Sequence, residues 1–138
     1  MLLIPGVAGS SDAPYIKVMA KRASESGFIP VVVNALHAKN EEDYRVLDFS
    51  DSKILRDAVD KIHDKLGDDI EIYGIGFSLG ANHLLRYIGD NPDNNGLKAA
   101  ISVSNPFDVL ATCVRLKYTL FGIYDKAIAK NLALPFIK

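Results

Sequence analysis

The chain has 138 residues, 49% of them hydrophobic, and 16 lysines and arginines against 17 aspartates and glutamates give a formal net charge of -1. That length supports one compact domain and leaves no room for a second, and charges interspersed without blocks of one sign give no footprint for nucleic acid or an anionic lipid surface. One cysteine, Cys113, excludes an internal disulfide framework and a paired-cysteine metal site.

That single cysteine gives no reason to infer an oxidising compartment, so an intracellular protein is expected. The N-terminal "MLLIPGVAG" shows no basic leader and breaks at Pro5-Gly6 after four residues, too short for a signal h-region or a membrane span. Leu2 to Ile4 reads as a short strand and Pro5, Gly6 and Gly9 as a loop. Asp12 is placed to cap a helix with Pro14 in its first turn, and Tyr15, Val18, Met19, Arg22 and Ala23 recur at helical spacing until Gly27. Pro30 to Ala35 contains "VVVN", whose consecutive β-branched residues predict a strand buried on both faces. After the polar "HAKNEEDYRVLDFSD", a stripe of Ile54, Leu55, Ala58, Val59, Ile62 and Leu66 predicts a helix with Ser50 or Ser52 as cap and Gly67 at its exit. Ile70 to Phe77 is the third predicted strand, Leu79 to Ile88 a helix ended by Gly89, and Ala99 to Val103 the fourth strand, closed by "SNPFD". Val109 to Lys138 reads as two amphipathic helices around Gly122.

Strands separated by helices of ten or more residues predict an α/β fold: a parallel, doubly wound sheet of about four strands. A single domain is expected, with a sheet core over residues 1–108 and helices over 109–138. Ligands in such sheets bind beyond the carboxyl ends of the strands. The candidate site is therefore to be sought in Pro5 to Ser11, Asn34 to Asn40, Gly76 to Gly80 and Ser104 to Asp108.

Gly76-Phe77-Ser78-Leu79-Gly80 fits G-x-S-x-G, where small flanking residues let a strand turn abruptly into a helix and leave the serine exposed on a strained corner. At ordinary residue frequencies a chance match in a chain of this length arises roughly once in twenty-five, before strand and helix are required on the correct sides. The helix beginning there aims its N-terminus at the same spot, so the Leu79 N–H is a candidate oxyanion donor. Val7 or Ala8, in the loop after the first strand, would supply the second. Two other readings stand beside this one: a structural corner with an inert serine, and a spread dinucleotide fingerprint through Gly74, Gly76 and Gly80. The fingerprint has one residue too many between its last two glycines and lacks an acidic residue after the fourth strand. No phosphate-loop motif occurs, and neither cofactor nor metal is expected.

A serine nucleophile needs a base and an acid that orients it. His83 lies five residues beyond Ser78 and projects from the side of its helix, and His63 lies beside a buried stripe. His37 follows the second strand on the reactive edge, about 10 Å from the serine turn if one strand intervenes. It is a candidate pocket residue, though a plain loop histidine is the simpler reading. No histidine follows position 83, so the order serine, acid, histidine cannot be completed.

"GFSLGANHLLRYIG", "LKAAISVSNPFDV", "YDKAIAKNLALPFIK" and "IPGVAGSSDAPYIKVMAKRASESGFIPVVVN" together resemble the α/β-hydrolase subfamily of membrane-associated lipid esterases and acylglycerol lipases related to abhydrolase domain-containing proteins one, two and three. The resemblance covers nearly the whole chain. It departs where Pro5 stands before Gly6 in place of the family's histidine, and where "NALHAKN" replaces its Arg-Gly after the strand-ending asparagine. It implies that the chain begins at the family's third strand and stops in its cap helices, without the region that carries the acid and the histidine. It also implies a lipid-like ester substrate, Ser78 as nucleophile, Leu79 and Val7 as oxyanion donors, and a membrane association. The alternative is a non-catalytic, truncated hydrolase fold serving as a structural or assembly subunit, its sheet edges covered by a partner protein or an oligomer.

Overall fold

The computed structural model describes residues 1–34 and 52–133. Four strands, β1 Leu2–Ile4, β2 Val31–Val32, β3 Ile72–Phe77 and β4 Leu97–Val103, form one all-parallel sheet in the order β2-β1-β3-β4. Parallel neighbours cannot be joined by a tight hairpin. The return paths are helices: α1 Pro14–Glu25, α2 Lys53–Leu66 and α3 Leu79–Asp90. This is the expected α/β architecture. The chain divides into two compact units, Met1–Asn105 and Pro106–Lys138, and the sheet with these three helices belongs to the first.

β3 shows how its sequence places helices on both faces. Gly74 and Gly76 face α3: a Cβ at Gly74 would stand 3.1 Å from Leu84 Cδ1, and one at Gly76 would stand 2.6 Å from the Ala81 Cα. On the opposite face Phe77 meets the edge of Tyr15 in α1 at a centroid separation of 5.2 Å, and Tyr73 meets Phe28 at 5.6 Å. The core is a cluster of Leu2, Ile4, Val33, Leu55, Val59, Ile62, Ile72, Leu84 and Tyr87. Each such side chain contributes about 1.5–3 kcal/mol by leaving water. Leu55, Val59 and Ile62 are the predicted stripe of α2.

Three expectations are corrected. β2 is two residues long and half-buried rather than buried on both faces, because it lies at the sheet's edge among the described residues. Its inner side is paired, with the Val31 N–H donating to Met1 O at 2.8 Å and the Val33 N–H to Leu3 O at 3.0 Å. Ala35 and His37 fall outside the described residues. Asp12 does not cap α1; the N-cap is Ala13, and the Asp12 carboxylate pairs instead with Lys17 Nζ at 3.0 Å. Gly89 does not end α3, which runs on to Asp90 with Asn91 as C-cap, where the Asn91 amide donates to Tyr87 O at 2.8 Å. A side-chain donor there satisfies a terminal carbonyl, so no glycine is required.

In the second unit α4 spans Val109–Tyr118, a 3-10 turn Thr119–Gly122, and α5 Ile123–Ala133. Asp108 caps α4 by accepting from the Ala111 N–H at 2.7 Å. No helix among the described residues is long and apolar enough to cross a membrane.

Candidate active site

Because every strand runs the same way, the segments after β1, β3 and β4 leave the sheet at one edge. Ser78 occupies that edge as the residue between β3 and α3, with φ 53° and ψ -121°. A residue with a Cβ rarely adopts this conformation, which costs on the order of 1–3 kcal/mol unless the surroundings enforce it. They do so through backbone contacts. The Ser78 N–H donates to Val103 O at 2.8 Å, and Ser78 O accepts from the Ala81 N–H at 2.9 Å and the Asn82 N–H at 3.3 Å. The glycines of the motif let the parts close up: a Cβ at Gly80 would run into the carbonyl oxygens of Ile4 and Pro5, and one at Gly76 into α3. The side chain left over is exposed.

The loop after β1 touches this corner. A Cβ at Gly6 would lie 3.1 Å from Ser78 Cβ and 3.7 Å from Ser78 Oγ. Residues 6–9 form a β-turn in which the Gly9 N–H donates to Gly6 O at 2.9 Å and Ala8 has φ 55°. In a trans peptide the carbonyl and the following N–H point to opposite sides. Fixing Gly6 O toward Gly9 therefore turns the Val7 N–H away from the turn's interior. The Gly6 N–H is already committed, donating to the Tyr15 hydroxyl at 3.0 Å. Leu79 is the first residue of α3, so its N–H has no intrahelical acceptor.

Ser78, Leu79 and the loop carrying Val7 and Ala8 are thus neighbours, whereas the two described histidines lie on different helices. His37 lies outside the described residues. His63 stands at the other end of the sheet, its Nδ1 3.4 Å from Gly67 O and its ring beside Gly96 at the start of β4. His83 is half-buried in the second turn of α3, and burial, then the Arg86 charge, hold its pKa below the ordinary 6.5. No cluster of metal ligands occurs among the described residues.

Two site features escaped the sequence reading. Tyr15 reads there as one position of a helical stripe, yet its hydroxyl holds the Gly6 amide. Asn34 begins a segment the sequence points to, but its role there is unforeseen: two residues past β2, it accepts from the Ser11 N–H at 2.7 Å and donates to Ser11 Oγ at 3.2 Å, fastening the far end of the same loop. Only the proline-initiated helix start five residues past Gly9 could have hinted at the first. The edge also holds Ser102 Oγ and Asn105 Oδ1, buried atoms without a hydrogen-bond partner among the described residues.

The chain is similar to curated proteins over nearly its full length. It is 34% identical to the embryogenesis-associated protein EMB8 of Picea glauca, over 100% of this chain and 31% of that protein. It is 27% identical to the medium-chain fatty acid ethyl ester synthase/esterase 2 of Saccharomyces cerevisiae, over 96% of this chain and 30% of the relative. An abhydrolase domain-containing protein of Dictyostelium discoideum is 29% identical, over 96% and 35%. The chain therefore spans about a third of the length of the curated relatives it matches. No family model and no solved structure matches it.

Proposed function

Since the chain belongs to the α/β-hydrolase superfamily, we propose that it is the nucleophile-bearing part of a serine hydrolase acting on fatty-acyl carboxylic esters. The observation that carries this reading is the backbone of Ser78, an exposed side chain held at φ 53° and ψ -121° at a helix N-terminus. Strain of this kind concentrates where a side chain has to be presented to a reactant.

In this reading Ser78 Oγ attacks the ester carbonyl, the new C–O bond forming as the carbonyl π pair moves to oxygen. The Leu79 and Val7 N–H groups hold the resulting oxyanion, and Ala8 shapes the turn that presents Val7. The hydroxyl proton passes to a general base and on to the departing alkoxide, and water then releases the acid from the acyl-enzyme. Base and orienting acid come from outside the described residues, and His37 is the one candidate this sequence offers. The fatty-acyl substrate class is supported by the esterase named among the relatives.

A fluorophosphonate probe tests the reading. Adduct formation on Ser78, abolished by Ser78→Ala with folding intact by circular dichroism, is the expected result. A folded chain that takes no label sinks it. A His37→Ala variant labelled at the wild-type rate removes His37 from the mechanism. The second reading, a non-catalytic hydrolase fold that assembles with another chain, is favoured by β4, where Ile101 is 57% exposed in the middle of a strand.

A further inference from the structure

We propose that Tyr15 is a positioning residue of this site, fixing the loop that bears the Val7 donor against the serine corner; the inference rests on the hydrolase reading above. Two contacts from one side chain carry it. The Tyr15 hydroxyl accepts from the Gly6 N–H at 3.0 Å, and its ring stands edge-on to Phe77, the residue before Ser78, at 5.2 Å and 67°. Tyr15 thus joins the oxyanion loop to the end of β3 from the face opposite α3.

The geometry makes the hydroxyl more than a packing group. The Gly6 amide belongs to the Pro5–Gly6 peptide, and the Gly6 carbonyl, held by Gly9, belongs to the next peptide, which contains the Val7 N–H. Holding both planes leaves the Val7 donor little rotational freedom. The fit is close on every side: a Cβ at Gly9 would lie 3.0 Å from the Tyr15 oxygen, and one at Gly6 3.1 Å from Ser78 Cβ. A preorganised donor costs no reorganisation when charge develops, whereas a donor on a swinging peptide does. The tether also explains a half-exposed aromatic at the start of α1, 42% accessible and contributing little to the core.

Tyr15→Phe retains the ring and deletes the acceptor. Two measurements on the 138-residue chain judge it: the rate of Ser78 labelling by a fluorophosphonate, and hydrogen exchange at the Gly6 amide by NMR. The expected result is labelling slowed about tenfold, a fraction of the loss on deleting a whole oxyanion donor, with Gly6 exchange accelerated and the melting temperature nearly unchanged. Tyr15→Leu, which also loses the Phe77 contact, labels more slowly still. Val18→Ala, an exposed neighbour on the same helix, changes neither reading. Wild-type labelling by Tyr15→Phe overturns the positioning role and leaves the hydrolase reading standing. Unchanged Gly6 exchange overturns the tether, whatever the serine does. A wild-type chain that takes no label overturns the hydrolase reading and this role with it, while Gly6 exchange still reports whether the contact exists.

Discussion

At single positions, the glycines about Ser78 are irreplaceable for different reasons. Gly76 lies in ordinary strand and needs no unusual dihedral; what it lacks is space, because an added Cβ would meet the Ala81 backbone at 2.6 Å. A backbone neighbour cannot rotate aside as a side chain can. Gly76→Ala is therefore expected to lower stability by about 3 kcal/mol, seen as a fall in urea midpoint. A variant as stable as the native chain would show that α3 can lift off β3 at no cost. His83 gives a pH dependence with a definite sign. Its folded pKa lies below 6.5, so on acidification the unfolded chain takes up a proton before the folded one does. Its contribution is intact above about pH 6.5 and is lost as pH falls below that value. His83→Gln should flatten the stability profile between about pH 7 and pH 5, and an identical slope in both proteins would refute the assignment. Ser78 was legible in the sequence because the motif states a local steric need. Tyr15 was not, since its partner lies nine residues away across a loop whose path no periodicity encodes.

Among the elements, α3 carries the corner, and its docking depends on the face that alternates along β3. Leu84 is fully buried against Gly74, so Leu84→Ala should cost about 2–5 kcal/mol and leave a cavity between α3 and β3. Chemical denaturation measures the cost, and a loss well under 1 kcal/mol would mean that α3 does not rely on this contact. Helix positions could be read from the sequence because 3.6-residue periodicity survives any arrangement of neighbours: the α2 stripe Leu55, Val59 and Ile62 is buried as its spacing implies. Strand burial could not be read in the same way. "VVVN" looks like an interior strand, but its exposure depends on the sheet order, and that order puts β2 at the rim. The caps of α1 and α3 were misplaced because several polar residues compete within one turn, and ion pairing drew Asp12 away.

For the molecule as a whole, the first unit has two uncovered flanks among the described residues. β4 shows Ile101 and Val103 to solvent, 57% and 37% exposed, and beyond β2 a groove of about 530 Å³ is lined by Val31, Val33, Ile54, Ala58 and Ile62. Parallel sheets are stable when both faces are covered, and an open apolar edge strand promotes association. Ile101→Lys is expected to reduce self-association in size-exclusion chromatography without altering the circular dichroism spectrum. An unchanged elution volume would mean that this edge meets no second chain. Of the proposed mechanism, half is visible in the sequence and half is not: the proposed nucleophile and its amides are local to two loops, while a base reaches a serine only through tertiary contact. The dihedral pair at residue 78 has one more implication. Glycine is the amino acid at ease with φ 53° and ψ -121°, so Ser78→Gly should raise the global unfolding free energy by about 1 kcal/mol, where Ser78→Ala gives no such gain. Keeping a hydroxymethyl group at that spot opposes the cohesion of the fold, and a polypeptide that served only as scaffold would be sturdier without it.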